Sequence, residues 1–211
     1  MNVSIVVLSC DIYSVFWDWF FACKKRYWKD CRYPTYLVTE TKTCKYCQTI
    51  NINSPIWTKR FRGALKQINS EYVIVMLEDY FIRQPVNQQR LHVLEMLSGL
   101  LVDVAVFNFE KDFRPSEPTS FEMWNKQKNN QIYLNSTQPS WWNREKLIER
   151  LKDDQNPWEW ELTKVDSPYQ HWINAGDQII DNGYIHGQEF GVKQGKLTDE
   201  CVKFLKSEGL L

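Results

Sequence analysis

The sequence predicts a single α/β domain built on a largely parallel sheet. In the first 110 residues, strand-like apolar runs alternate with segments of helical periodicity, a pattern typical of βαβ units. The first run, residues 3–8, is apolar and β-branched without polar alternation, which indicates a strand buried on both faces. With 211 residues, 43% of them hydrophobic, the chain is long enough for one sizeable core.

The later elements are predicted from periodicity and end signals. In chain order they are a helix over 15–28, a strand over 34–39, a helix beginning near 55, a strand over 72–77, a helix over 87–100, a strand over 102–109, a short strand over 132–134, a helix over 143–151 and a closing helix over 198–210. Ser14 and Asn143 are the expected N-caps of two of these helices. Residues 40–54 and 110–130 are expected to be polar loops.

Composition argues against several classes of function. Lysine plus arginine and aspartate plus glutamate number 26 each, so no net charge favours a nucleic-acid partner. The apolar stretch over 97–107 is interrupted by Asp103 and is shorter than the ~20 residues that span a bilayer. Six cysteines in a chain of this size fit a reducing compartment, so we expect the cytoplasm. Cys44 and Cys47 have the spacing of half a zinc site, but no second pair follows.

Polar residues follow three of the predicted strands where each strand ends. The carboxyl ends of parallel strands form one edge of the sheet, where open α/β folds bind ligands. Carboxylates gathered there repel one another, and a divalent cation that also neutralises phosphate relieves that repulsion. The alternative is that Glu78 and Asp79 simply begin a solvated loop. The three strand ends are Ser9-Cys10-Asp11, Thr39-Glu40-Thr41 and Glu78-Asp79-Tyr80.

The order of these features resembles the nucleotide-binding half of small GT-A-fold glycosyltransferases of the bacterial and viral surface-polysaccharide type. In that family an aspartate-any-aspartate motif ends a strand, follows a helix with an arginine, and holds a metal and the donor diphosphate. Leu77 stands where the first aspartate would fall, so Asp79 carries over, with Glu78 beside it, and Arg60 matches the arginine. The resemblance implies Mn²⁺ or Mg²⁺ as cofactor. The residues it implies for the donor, a nucleoside-diphosphate sugar, are Ser9, Asp11, Glu40, Arg60, Glu78 and Asp79.

Two tryptophan-rich segments, residues 137–145 and 156–161, resemble the acceptor-binding half of the same enzymes. Tryptophan faces suit sugar C–H groups, and neighbouring amides and carboxylates suit hydroxyls. The resemblance implies a glutamate base, with Glu161 preferred over Glu159. In an extended segment both would point to one side, with Trp158 and Trp160 on the other. A solvated strand edge over buried tryptophans is the alternative. The implied acceptor-binding residues are Gln138, Trp141, Trp142 and Trp158.

Two weaker features complete the predicted site. His186 lies in a glycine-flanked turn, and the resemblance implies that such a turn returns a histidine to the metal beside Asp79. A lone histidine is more often a surface or packed residue. Residues 191–196 are expected to form a loop near the donor. The aromatic and basic helix over 15–28 either packs on the sheet or rests on an anionic membrane surface, and both alternatives stay open.

The combined prediction is one three-layer α/β/α, GT-A-like domain over 1–211 with a mixed, mostly parallel central sheet. Its nucleotide-sugar-binding half is 1–109, its acceptor half 110–197 and its closing helix 198–211. We expect transfer of a sugar, with inversion, to a glycan or lipid-linked hydroxyl. One rival is a nucleotidyltransferase, but no glycine-rich phosphate loop follows Asp11. The other rival is a non-catalytic carbohydrate-binding protein.

Overall fold

The computed structural model describes residues 1–111, 114–151, 154–183 and 190–211. The strands within these ranges are β1 (Val3–Leu8), β2 (Thr35–Thr39), β3 (Gln48–Asn51), β4 (Tyr72–Leu77), β5 (Val104–Lys111), β6 (Ser116–Pro118), β7 (Trp124–Gln127), β8 (Ser140–Asn143), β9 (Gln170–Asn174), β10 (Val192–Lys193) and β11 (Lys196–Leu197). The helices are α1 (Trp17–Tyr27), α2 (Trp57–Leu65), α3 (Gln88–Leu100), α4 (Arg144–Arg150), α5 (Pro157–Leu162) and α6 (Asp199–Ser207), and a 3₁₀ helix (Asp11–Phe16) precedes α1.

In these ranges, nine strands form one sheet in the order β3-β2-β1-β4-β8-β5-β9-β7-β6. The pairs β3/β2, β2/β1, β1/β4 and β5/β9 are parallel, and the pairs that involve β8 or β7 are antiparallel. Following these pairings across the sheet, every strand except β7 and β8 runs in the same direction. The predicted mixed, mostly parallel sheet is therefore confirmed.

Helices cover both faces of the sheet, as the alternation of side chains along β1 requires. Ile5 and Val7 belong to a core that includes residues of α1, α3 and α6. Val6 and Leu8 belong to a second core that includes residues of α2, α4 and α5. Each of the four β1 side chains is at most 3% exposed. The three-layer α/β/α prediction is confirmed, and the apolar run of β1 is explained by burial on two faces.

Helix α1 packs on the sheet through its aromatic residues. Trp17, Phe20 and Phe21 are buried, and basic residues occupy its last turn. Its predicted cap is wrong, because Ser14 lies within the 3₁₀ helix and its Oγ contacts Lys42 Nζ at 2.6 Å. In the parts of the chain that the structure describes, no helix combines the length and apolar character needed to span a membrane.

Other differences from the predicted elements involve short segments. Strand β3 lies inside the predicted loop 40–54, and β6 and β7 lie inside the predicted loop 110–130. Residues 132–134 form a turn instead of a strand, with Tyr133 at a φ of 59°. The Asn156-Pro157 step begins helix α5. Asn143 does cap α4, since its side chain accepts from the Lys146 amide at 3.1 Å.

Candidate functional site

A pocket of about 570 Å³ opens at the carboxyl ends of β1 and β4. Residues of α2, α5 and the 3₁₀ helix complete its walls. Its charged lining side chains include Arg60, Glu78, Asp79, Glu159 and Glu161. Aromatic and other apolar residues line the rest, among them Tyr13, Pro55, Ile56, Trp57, Pro157 and Trp158. The pocket therefore combines apolar walls with carboxylates and one guanidinium.

Glu78 lies beneath the pocket, with only 3% of its surface exposed. The Ser9 hydroxyl donates to Glu78 Oε1 at 2.8 Å, and the Trp17 indole N–H donates to Ser9 Oγ at 2.8 Å. Burial raises the pKa of Glu78 well above its usual range, and the charge of Asp79 raises it further. This chain of hydrogen bonds holds Glu78 in place. Glu78 is the first residue of the Glu78-Asp79 pair, which we call the acidic step.

Asp79 carries the least satisfied carboxylate of the pocket. Its Oδ1 is buried and accepts no hydrogen bond within the described ranges. Desolvation raises the pKa of Asp79 to about 7, and the negative charge of Glu161 acts in the same direction. A buried polar atom without a partner is costly unless a ligand supplies one. Asp79 is therefore placed to receive a cation or a hydrogen-bond donor.

Gly191 packs directly against the acidic step. It has a φ of 97°, and a Cβ added there would lie 2.1 Å from the Asp79 carbonyl oxygen. Strands β10 and β11 form the hairpin that follows, and the Gly195 backbone within it hydrogen-bonds Tyr13. The hairpin therefore sits beside the pocket, where the loop over 191–196 was expected.

Arg60 presents a buried positive charge to the pocket. Its residue surface is 6% exposed, and Nη1 pairs with Glu40 Oε1 at 2.6 Å and donates to the Ser54 carbonyl at 2.8 Å. No hydrogen bond from its Nε or Nη2 is found in the described part of the chain. Glu40 also accepts from the Asp11 amide at 2.6 Å, so Glu40 joins α2 to the end of β1.

Asp11 and Glu40 support the site instead of lining it, which corrects their predicted contact with the donor. The Asp11 carboxylate accepts from the Thr41 and Lys42 amides at 3.1 and 3.0 Å and from the Thr39 hydroxyl at 2.8 Å. Desolvation opposes these bonds, yet together they hold the pKa of Asp11 well below its usual range. Both carboxylates are occupied by protein donors and tie the end of β1 to the end of β2.

The predicted extended geometry of Glu159 and Glu161 is wrong, because α5 contains both. Glu159 Oε2 accepts from the Asn156 amide at 2.8 Å while Asn156 Oδ1 accepts from the Glu159 amide at 2.9 Å, which forms a capping box. Proline at the first turn adds a second start signal. Glu161 Oε1 accepts from the Thr137 amide at 2.8 Å and from its hydroxyl at 2.6 Å. Glu161 is thus held in the pocket wall near Asp79.

Trp141 and Trp142 are core residues, which corrects their predicted role in acceptor binding. Both lie in β8 and are at most 1% exposed, so no sugar can stack on either ring. They point to opposite faces, into the two cores. Gln138 is buried, accepts from Asn182 at 2.8 Å and is not among the residues that line the pocket. Trp158 lines the pocket and is 72% exposed, and Trp160 is buried.

A divalent cation fits this pocket only with help from a ligand. Within residues 1–111, 114–151, 154–183 and 190–211, no group of three or more His, Cys, Asp or Glu side chains is arranged to hold a metal. Asp79 Oδ1 is one free carboxylate oxygen, and Mg²⁺ is often held by one or two carboxylates together with substrate phosphates. His186, the other predicted metal ligand, lies outside the described residues.

Several pocket residues were not predicted from the sequence. Tyr13 follows the β1 end by a few residues, so strand-end reasoning extended by one helical turn would include it. Trp57 falls within the helix predicted from near residue 55, and helical periodicity alone does not show that its ring faces the pocket. Thr137 gives no local signal, because its role depends on the placement of Glu161.

No protein-family model matches the chain, and no curated protein shows significant sequence similarity to it. Solved structures do resemble its fold. The S. aureus TarS fragment 1-349 has 15% identity over 85% of this chain and 59% of its own, with a TM-score of 0.48. A cytidylyltransferase from Leptospira borgpetersenii has 9% identity over 76% and 68%, with a TM-score of 0.45. Bifunctional IspDF from Campylobacter jejuni has 11% identity over 74% and 44%, with a TM-score of 0.40.

The chain spans less than two thirds of the length of the IspDF and TarS structures. The similar structures also include the TarS fragment in complex with UDP-GlcNAc and the active-site mutant Q189E of LgtC.

Proposed function

We propose that the protein is a glycosyltransferase that moves a sugar from a nucleoside-diphosphate donor to a hydroxyl of a glycan or lipid-linked glycan. The observation that carries the proposal is the buried, unpartnered Asp79 Oδ1 in a pocket of about 570 Å³ at the carboxyl ends of two parallel strands. Such a volume suits a nucleotide-sized ligand. The position agrees with the ligand sites of open α/β sheets.

The walls of the pocket offer complementary contacts for the donor. Tyr13 and Trp57 provide aromatic surface for a nucleoside. Arg60 provides positive charge for the diphosphate, since only its Nη1 has hydrogen-bond partners in the described chain. In this arrangement Asp79 and the donor phosphates together hold Mn²⁺ or Mg²⁺, which when bound neutralises charge on the leaving diphosphate. Glu78, held by the Ser9 hydroxyl, lies next to Asp79 in the chain.

Glu161 is the proposed general base. Thr137 orients Oε1, and Oε2 accepts no hydrogen bond from any residue that the structure describes. In the reaction the acceptor oxygen attacks the anomeric carbon, its proton passes to Glu161, and the bond to the diphosphate breaks on the opposite face. The nucleoside diphosphate leaves and the configuration inverts. The exposed Trp158 ring at the pocket edge is the proposed acceptor platform.

The test is a panel of UDP-, GDP-, CDP- and dTDP-sugars with Mn²⁺, assayed for slow hydrolysis by release of nucleoside diphosphate. Release of nucleoside diphosphate from one donor supports sugar transfer. Release of pyrophosphate from nucleoside triphosphates and sugar phosphates, without donor hydrolysis, would instead establish nucleotidyl transfer. Glycan binding without turnover in any of these assays would show a carbohydrate-binding protein.

Glu161→Gln and Glu159→Gln form a matched pair for the base. Glutamine at 161 can still accept from Thr137 but cannot take a proton, so kcat should fall at least about 100-fold with donor binding retained. Glutamine at 159 keeps the capping box, so kcat should change little. Equal losses in the two variants would remove Glu161 from the role of base.

A further inference from the structure

The two thiols of the Cys44-Lys45-Tyr46-Cys47 turn face each other outside the pocket. The Cys47 thiol donates to Cys44 Sγ with the sulfurs 3.9 Å apart. A disulfide needs a separation of ~2.05 Å, so closure requires only a small rotation of two side chains in a short loop. We propose that Cys44 and Cys47 form a reversible thiol–disulfide exchange site for low-molecular-weight disulfides such as oxidised glutathione.

The loop that carries the pair is anchored on both sides. The Tyr46 ring stacks on Phe21 of α1 at 5.1 Å, and its hydroxyl donates to Asp18 at 2.8 Å. The Cys44 amide donates to Oγ1 of Thr49, a residue of β3, at 2.8 Å. These contacts hold the two sulfurs close before any oxidant arrives. The fold therefore lowers most of the entropic cost of bringing the two sulfurs together for a disulfide.

The chemical state of the two sulfurs differs in a way that suits exchange. The hydrogen bond from Cys47 lowers the pKa of the Cys44 thiol against desolvation, and the Tyr46 amide adds a second donor. The same bond to Cys44 raises the pKa of the Cys47 thiol, and burial adds to it. Cys44 is 5% exposed and Cys47 is partly exposed. The buried Cys44 is thus the favoured thiolate, and Cys47 is the more accessible thiol.

The exchange takes two steps. Cys47 passes its proton to Cys44 along the hydrogen bond between them, attacks one sulfur of oxidised glutathione and releases one glutathione thiolate, which takes that proton from Cys44. The Cys44 thiolate then attacks the Cys47 sulfur of the mixed disulfide, forms the Cys44–Cys47 bond and expels the second glutathione thiolate. Two protein thiols are oxidised and one external disulfide is reduced to two thiols, so electrons balance without another reactant. Reduced glutathione reverses both steps.

The experiment incubates the native, reduced protein with oxidised and reduced glutathione at set ratios, then traps free thiols with N-ethylmaleimide under denaturing conditions. We expect two of the six cysteines to escape alkylation, and peptide mass mapping to join Cys44 to Cys47. Closure should be at least about tenfold faster in the native protein than in guanidinium-unfolded chain, because the fold holds the sulfurs together. Added reduced glutathione should restore both thiols.

Single-site variants separate the two roles. Cys44→Ser should accumulate a mixed disulfide on Cys47, and Cys47→Ser should leave the buried Cys44 largely unmodified. Cys31→Ser, which alters a partly exposed cysteine outside the pair, should close the internal disulfide at the wild-type rate. Native closure no faster than that of the unfolded chain would overturn the proposal. Stoichiometric zinc that protects both thiols in the wild-type protein would overturn it as well. Neither result depends on glycosyl transfer.

Discussion

Asp79 and its neighbour Glu78 both carry an electrostatic cost of burial, and Asp79 is the one that faces the pocket with a free oxygen. Desolvation raises the pKa of Asp79 in the folded protein to about 7 from its ordinary value of 3.8. A carboxyl group whose pKa rises on folding favours the folded state fully at pH below its unfolded pKa. That contribution is lost as the pH rises through about 7 and stays lost above it. At alkaline pH, Asp79 is therefore ionised in the ligand-free protein, and this ionisation lowers the free energy of unfolding.

Asp79→Asn should remove this pH dependence. In chelator, without nucleotide, we expect the variant to exceed wild type in free energy of unfolding by roughly 2 kcal/mol at pH 8 and by little at pH 4. Urea unfolding at the two pH values measures the difference. Asp30→Asn, at an exposed position in the turn after α1, should show none. A gain for Asp79→Asn that is the same at both pH values would contradict the assignment of the shift to Asp79.

At the residue scale, the sequence predicted which strand ends supply the pocket but not which side chains face it. Ser9, Glu78 and Asp79 line it at the predicted strand ends, and Arg60 of α2, which the resemblance implied, lines it as well. Asp11 was indistinguishable from them in sequence, yet backbone amides that follow the neighbouring strand β2 occupy its carboxylate. Such partners arise from tertiary contacts that no local pattern encodes.

Helices and strands were best predicted where burial on two faces imposes a long apolar run. β1 and β4 match their predicted bounds for this reason. β3 was missed because Gln48–Asn51 is a short, mostly polar strand at the sheet edge. The error at α5 has a different source, since six residues are too few to separate helical from extended periodicity. There the capping box at Asn156 was the decisive signal.

Gly191 and Gly195 offer a matched test of how the β10–β11 hairpin supports the acidic step. Both have positive φ, 97° and 75°, but a Cβ at 191 meets the Asp79 carbonyl oxygen at 2.1 Å and a Cβ at 195 meets nothing within 4 Å. Gly195→Ala should cost about 1 kcal/mol from backbone strain alone. Gly191→Ala should cost roughly 3 kcal/mol or more, because the clash adds to the strain.

Urea unfolding of the two alanine variants measures these costs, and donor binding gives a second reading. Gly191→Ala should also weaken binding, since the Glu78–Asp79 turn must move to admit the methyl group. Gly195→Ala should leave binding near wild type. Equal losses of unfolding free energy in the two variants would show that the hairpin backbone does not contact the Asp79 carbonyl oxygen in solution.

At the scale of the whole molecule, a metal site that needs the phosphates of the nucleotide predicts that metal and nucleotide bind cooperatively. Mn²⁺ alone should shift the Tm little, because no three His, Cys, Asp or Glu side chains of the described residues are grouped to hold it. Mn²⁺ with the matching nucleoside diphosphate should raise the Tm more than the sum of the separate shifts, as linkage requires for cooperative binding. Thermal shift with UDP, GDP, CDP and dTDP measures it, and Asp79→Ala is the control that should abolish the excess. Additive shifts would argue against a shared metal.

The contact between Gly191 and the acidic step also orders events during synthesis. Residues 190–197 leave the ribosome long after β1 and β4, yet they supply the backbone that lies against Asp79 and hydrogen-bonds Tyr13. A nascent chain that has completed β8 can already assemble the central strands, because β4 pairs with β1 and with β8. In that nascent chain, the acidic step at Glu78-Asp79 still lacks the backbone of residues 190–197, which later lies against it. Nucleotide capture is therefore expected to begin only after the hairpin has emerged, so the ligand cannot guide the folding of the strands that form its floor.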